Sequence, residues 1–189
     1  MFYRIIRKIV KLIAYIIYRI NITGQENIPP EGAVIICSNH ISGLDCLALA
    51  ISCKRQIFFM GKRELFDKPV LGWLLKKVGA FPVDRSTTDM KAYRHTMDLL
   101  KKDKALGIFS QGTRTADFEN VKGGVAVFAL KSGAPIVPTG IRGTYRPFSK
   151  MYISFGPPIS MAPYEGRKVK TDVVDELMAQ VVSQVSALS

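Results

Sequence analysis

A chain of 189 residues falls in the size range of a single domain, and with 48% hydrophobic residues and no low-complexity tract it is built to fold around a core rather than to stay disordered. Its net charge of +12 directs it to anionic partners: nucleic acid, anionic lipid headgroups, or phosphorylated and acidic carriers. Three cysteines without paired spacing exclude a disulfide framework and fit a reducing compartment, and no C-x-x-C or His-rich spacing offers a metal site.

Residues 2–20 contain no helix breaker and predict an amphipathic helix, set apart from a domain at 21–189. Arg4, Arg7, Lys8 and Lys11 recur at steps of three and four along one face, and Tyr15, Tyr18 and Arg19 continue that stripe. Ile5, Ile6, Ile9, Leu12, Ile13, Ile16, Ile17 and Ile20 fill the remainder. The longest charge-free run, residues 12–18, is far shorter than the roughly 20 residues a spanning helix needs. No small-residue cleavage site precedes Asn21, so a secretory signal is not expected either. The helix either lies in a membrane interface, cations on headgroups and isoleucines in the acyl region, or packs on the domain. The basic face carries no balancing acid, which favours the interface.

A turn-rich connector at 24–32 leads to an apolar strand at 33–38 and then, past a short polar turn, to a buried helix at 46–51. A second strand is expected at 56–60. Residues 68–77 read as an apolar helix with Pro69 in its first turn, Trp73 inside it and Gly79 at its end. Exposed, it is a second membrane-contacting patch; packed, it is core. Further strands are expected at 80–85, 105–109, 135–140 and 151–155. They alternate with helices at 88–102, about 124–131 and 171–187. This alternation predicts an α/β fold with a mostly parallel central sheet flanked by helices.

Three of these strands end in polar clusters: Asn39-His40, Asp84-Arg85 and Gln111-Gly112-Thr113-Arg114. Ligands of open α/β sheets sit at the carboxyl ends of the strands, so the clusters are expected to converge on one cleft. Imidazole is a plentiful neutral proton acceptor at pH 7, which makes His40 a candidate general base with Asp45 as its orienting carboxylate. Five residues on one continuous helix would put the two on different faces. They meet only if His40 lies in the loop and Asp45 near the helix start, with Ser42-Gly43 supplying the turn; Asp45 then also suits a helix cap. Taken alone, His40 reads first as a satisfied structural histidine, with catalysis the alternative. Arg85 and Arg114 are forked cations suited to a phosphate monoester, joined by Lys122 as a point charge. Gly112 permits close backbone approach and Thr113 adds a hydroxyl. Cys37, Cys46 and Cys53 read as small apolar core residues, and His95 as surface.

Together these residues resemble the glycerolipid acyltransferases, most closely 1-acylglycerol-3-phosphate acyltransferases of the bacterial type. Asn39-His40-Ile41-Ser42-Gly43-Leu44-Asp45 is similar to the family's N-H-x-x-x-x-D block. Gly79-Ala80-Phe81-Pro82-Val83-Asp84-Arg85 resembles its second block, Phe109-Ser110-Gln111-Gly112-Thr113-Arg114 its third, and Ile136-Val137-Pro138 its fourth. The resemblance implies that His40, oriented by Asp45, deprotonates the sn-2 hydroxyl of lysophosphatidate, which attacks an acyl-carrier-protein or coenzyme A thioester directly. It implies that Arg85 and Arg114 hold the phosphate and that Gly112 and Thr113 shape the pocket; Lys122 is expected to join the phosphate site, and Asn39, Ser42 and Gln111 the pocket wall. No metal or cofactor is required, and the expected location is the cytoplasmic face of the cell membrane.

The third block departs from the usual F-P-E-G-T-R in carrying Ser110-Gln111. Glutamine keeps the size and the acceptor oxygen but loses the charge, which leaves another lysophospholipid acceptor open. A non-catalytic binder of anionic lipid or nucleic acid is the remaining alternative. Against nucleic acid, the basic residues do not interleave with aromatics outside the amino-terminal helix.

Overall fold

The computed structural model describes residues 2–84, 89–109 and 123–189. In chain order the elements are α1 (Phe2–Ile17), β1 (Arg19–Thr23), β2 (Val34–Ser38), α2 (Asp45–Ser52), β3 (Ile57–Lys62), α3 (Arg63–Phe66) and α4 (Pro69–Lys77). There follow β4 (Phe81–Val83), α5 (Met90–Lys101), β5 (Ala105–Phe109), α6 (Gly124–Ser132), β6 (Ile136–Gly143), β7 (Lys150–Phe155) and α7 (Thr171–Leu188). The strands form one seven-stranded sheet in the order β1-β7-β6-β2-β5-β3-β4.

The apolar runs fold as strands because both of their faces are covered. β2 lies between β5 and β6, parallel to each, and all five of its side chains are buried. Ile35 and Cys37 point into a core shared with α5, α6 and α7, while Val34 and Ile36 point into a second core against Ala48 and Leu49 of α2. β3 and β4 extend the parallel sheet on one side. On the other, β7 runs antiparallel to β6 and β1 runs parallel to β7. The mostly parallel α/β sandwich expected from the alternation is therefore what the chain adopts.

Two local readings differ. The first helix ends at Ile17, not at residue 20, and residues 19–23 form an edge strand beside β7. Arg19, Asn21 and Thr23 face out while Ile20 and Ile22 pack inward, a period of two that five residues cannot separate from the helical pattern ahead of them. The second concerns Arg7, expected on the basic stripe. It turns inward instead: its Nε donates to Ala50 O at 2.9 Å and an Nη to Ile51 O at 3.3 Å. These are carbonyls of the last turn of α2, which lack helical partners and favour a cation.

α1 thus has three faces. Tyr3, Ile6, Arg7, Val10, Ala14 and Ile17 pack on the domain. Arg4, Lys8, Lys11 and Tyr15 form a basic edge. Ile5, Ile9, Leu12, Ile13 and Ile16 are exposed, Leu12 and Ile16 by 64% and 66%. α4 likewise leaves Val70 and Trp73 exposed, and the Phe2 ring meets Trp73 edge-on at 5.7 Å, which joins the two apolar surfaces. No helix of the described residues is long and apolar enough to cross a membrane.

Candidate active site

β2 delivers its last residue, the buried Ser38, to the carboxyl edge of the sheet, and the chain leaves the ladder at Asn39. Asn39, expected to shape the pocket, is buried with its amide on the backbone of β6. Its side-chain amide donates to Ile141 O at 2.8 Å and its Oδ1 accepts from Ile141 N–H at 2.7 Å. The side chain thereby replaces the next rung of the ladder between β2 and β6 and satisfies two backbone groups of a buried strand.

Pinned there, the loop turns through Ile41 to Leu44 and enters α2 at Asp45. His40 lies in the loop and Asp45 is the first residue of the helix, the arrangement their spacing demands. Asp45 does not cap α2; its carboxylate reaches back into the loop. Oδ2 accepts from Ile41 N–H at 2.7 Å and Ser42 N–H at 2.8 Å, and lies 2.6 Å from His40 Nδ1. Oδ1 accepts from the Tyr145 hydroxyl at 2.6 Å. Burial raises the Asp45 pKa, but the donors from His40, Ser42, Tyr145 and Ile41 outweigh it and hold the group below its ordinary value. Asp45 is therefore an anion at neutral pH, His40 Nδ1 carries the proton between them, and the acceptor lone pair of the neutral ring is on Nε2.

The His40 ring stacks on Phe109, the last residue of β5, with centroids 4.2 Å apart. Phe59 of β3 stacks behind Phe109 at 6.3 Å. Two neighbouring strands thus hold the imidazole from one face. Its side chain is 17% exposed, while that of Asp45 is wholly buried.

β4 and β5 end at the same edge as β2, the edge that carries His40. Arg85, Gln111, Gly112, Thr113, Arg114 and Lys122 themselves lie outside the described residues. Ser42 contributes its N–H to Asp45 and accepts from Leu44 N–H with its hydroxyl. Sequence reasoning missed Tyr145, from the β6–β7 loop, and Arg63, which follows β3 at this edge. The Arg63 guanidinium lies 4.0 Å from Asp84 and 3.7 Å from Asp89. Asp89 caps α5, accepting from Lys91 and Ala92 N–H.

An apolar cavity of about 380 Å³ opens beside the pair. It is lined by Gly43, Cys46 and Leu47 from the site side and by Phe59, Leu74 and Leu75 among the residues farther in. A smaller one of about 180 Å³ lies across Leu47 against Tyr145. Burial pushes the Cys37 and Cys53 thiols up to about 12, which suits core residues and not nucleophiles. Among the described residues, no group of three or more His, Cys, Asp or Glu side chains is placed to hold a metal ion.

A histidine–carboxylate pair at the carboxyl edge of a parallel sheet, with an apolar cavity lined by its sequence neighbours Gly43 and Cys46, belongs to a recognisable class: residues 19–142 match the acyltransferase family model, and the chain belongs to that family. Among its relatives, a 1-acyl-sn-glycerol-3-phosphate acyltransferase of Bacillus subtilis is 34% identical over 125 residues, 66% of this chain and 63% of the relative. One from Streptococcus pneumoniae is 32% identical over 147 residues, 76% of this chain and 55% of the relative. The chain thus spans less than two thirds of the length of these two relatives. The crystal structure of the 1-acyl-sn-glycerophosphate (LPA) acyltransferase PlsC from Thermotoga maritima shares the fold, with a TM-score of 0.70 at 22% identity over 98% of this chain and 81% of that one.

Proposed function

We propose that this protein transfers an acyl chain from an acyl-carrier-protein or coenzyme A thioester to the sn-2 hydroxyl of 1-acylglycerol-3-phosphate, giving phosphatidate. The observation that carries the reading is the 2.6 Å contact between His40 Nδ1 and the buried Asp45 carboxylate. His40 Nε2 takes the proton of the sn-2 hydroxyl as its oxygen attacks the thioester carbonyl. Asp45 keeps the tautomer and stabilises the imidazolium. The tetrahedral intermediate collapses with cleavage of the carbon–sulfur bond, and the departing thiolate takes the proton back from Nε2. Arg85, Arg114 and Lys122 are assigned the acceptor's phosphate, with Gln111, Gly112 and Thr113 around it. The 380 Å³ cavity is assigned an acyl chain, since its wall is almost wholly apolar. No cofactor enters the reaction.

The substrates and product are lipids, and the exposed isoleucine face of α1 with Val70 and Trp73 of α4 supports a monotopic seat on the cytoplasmic face of an anionic membrane. Nucleic acid is not a partner in this reading. Ser110-Gln111 keeps a second acceptor in view, another lysophospholipid. Product analysis with labelled lysophosphatidate, a panel of other lysolipids and both thioester donors decides between them; no preference for lysophosphatidate favours the second. His40→Ala is expected to lower transfer by about 10³-fold or more without loss of fold, and retained activity overturns the mechanism.

A further inference from the structure

We propose that Tyr145 is a positioning residue for the reaction: its phenol holds one oxygen of Asp45 so that the other stays on His40. The proposal rests on the acyl-transfer reading above. Asp45 Oδ2 has three donors, all from its own loop, whereas Oδ1 has one, and that donor comes from 100 residues away. The carboxylate is fully buried. Without the phenol, a buried anionic oxygen loses its partner, and rotation of the carboxylate toward another donor takes Oδ2 away from the imidazole.

The fold is built to place this phenol. Gly143 ends β6 at φ 126°, where a side chain is strained, and a Cβ there would meet the Lys150 carbonyl oxygen at 2.4 Å. The loop it opens is clamped by the junction between α1 and β1. Phe148 N–H donates to Ile17 O at 2.6 Å, and Arg19 N–H donates to Ser149 O at 2.9 Å. The Tyr18 ring packs edge-on against Tyr145 at 5.9 Å, and its hydroxyl approaches the Tyr145 carbonyl at 3.5 Å. Burial, then the hydrogen bond and charge of Asp45, push the Tyr145 phenol far above its ordinary value, so it remains a neutral donor and has no role as a base. The groups that face it are Asp45 and Cys46 of α2 and Tyr18 of the α1–β1 junction.

The test compares the full chain with Tyr145→Phe, which removes one oxygen and keeps the ring. The expected result is a fall in kcat of about 10- to 100-fold, with KM for both substrates within about two-fold. In an Asp45→Asn background the same substitution is expected to cost less than about two-fold, because the phenol acts through that carboxylate. The downfield proton resonance of His40 Nδ1–H is expected to move in Tyr145→Phe. An unchanged kcat, a loss seen only in KM, full additivity with Asp45→Asn, or an unmoved resonance each overturns the proposal. If Tyr145→Phe fails to fold, wild-type chain labelled with 3-fluorotyrosine decides: a shifted Nδ1–H resonance supports the assignment and an unshifted one overturns it. If the wild type transfers no acyl chain, the function proposed above falls, and the resonance still decides the role of Tyr145.

Discussion

Asp45 is the residue with the most at stake, since four donors converge on a side chain with no access to water. Its folded pKa is depressed, so its ionised form favours the folded state. That stability is present above the unfolded carboxylate pKa near 4 and is lost as pH falls through the folded value. The difference in Tm between wild type and Asp45→Asn is therefore expected to change sign or shrink to the disadvantage of the wild type as pH is lowered from 7 to about 3. Thermal scans across that range check it, and a difference independent of pH contradicts the hydrogen-bonded anion. At this scale the sequence revealed His40 and Asp45 through their spacing. It concealed Tyr145 and the backbone partner of Asn39, since these contacts span 100 and 102 residues and leave no local periodicity.

Among the elements, the parallel strands were legible because their β-branched runs are buried on both faces, as β2 shows. β1 was not, because its alternation covers five residues and adjoins a longer helical pattern. The seam between β2 and β6 shows how side chain and ladder share one task. Asn39→Ala leaves the N–H and C=O of Ile141 without their partner in a buried strand, and is expected to destabilise the chain by about 3 kcal/mol. Chemical denaturation measures this, and a loss below about 0.5 kcal/mol would show that the seam does not depend on the amide. Arg7 belongs at this scale too. The sequence pattern placed it with the other cations, but the carbonyls at the end of α2 draw it out of the stripe.

Over the whole molecule, two exposed apolar surfaces, on α1 and α4, meet through Phe2 and Trp73, with the basic edge of α1 beside them. The proposed membrane seat makes an asymmetric demand on these faces. Leu12→Asp together with Ile16→Asp is expected to weaken binding to vesicles containing anionic lipid by at least 10-fold while Tm stays close to that of wild type, since both side chains face outward. Cosedimentation with vesicles at low and moderate salt checks this, and undiminished binding removes α1 from the contact. The net charge of +12 pointed to an anionic partner from composition alone, but not to the helix face that would meet it.

One residue, Tyr18, separates the end of α1 from the start of β1, and the loop at 148–149 is hydrogen-bonded to either side of it. A helix joined to its sheet in this way has no swivel. The domain does not hang from α1 as a buoy from a rope; it stands on it as a keel on a hull. Whatever surface α1 rests on therefore fixes the height and tilt of His40 above that surface, so docking and aiming become a single event.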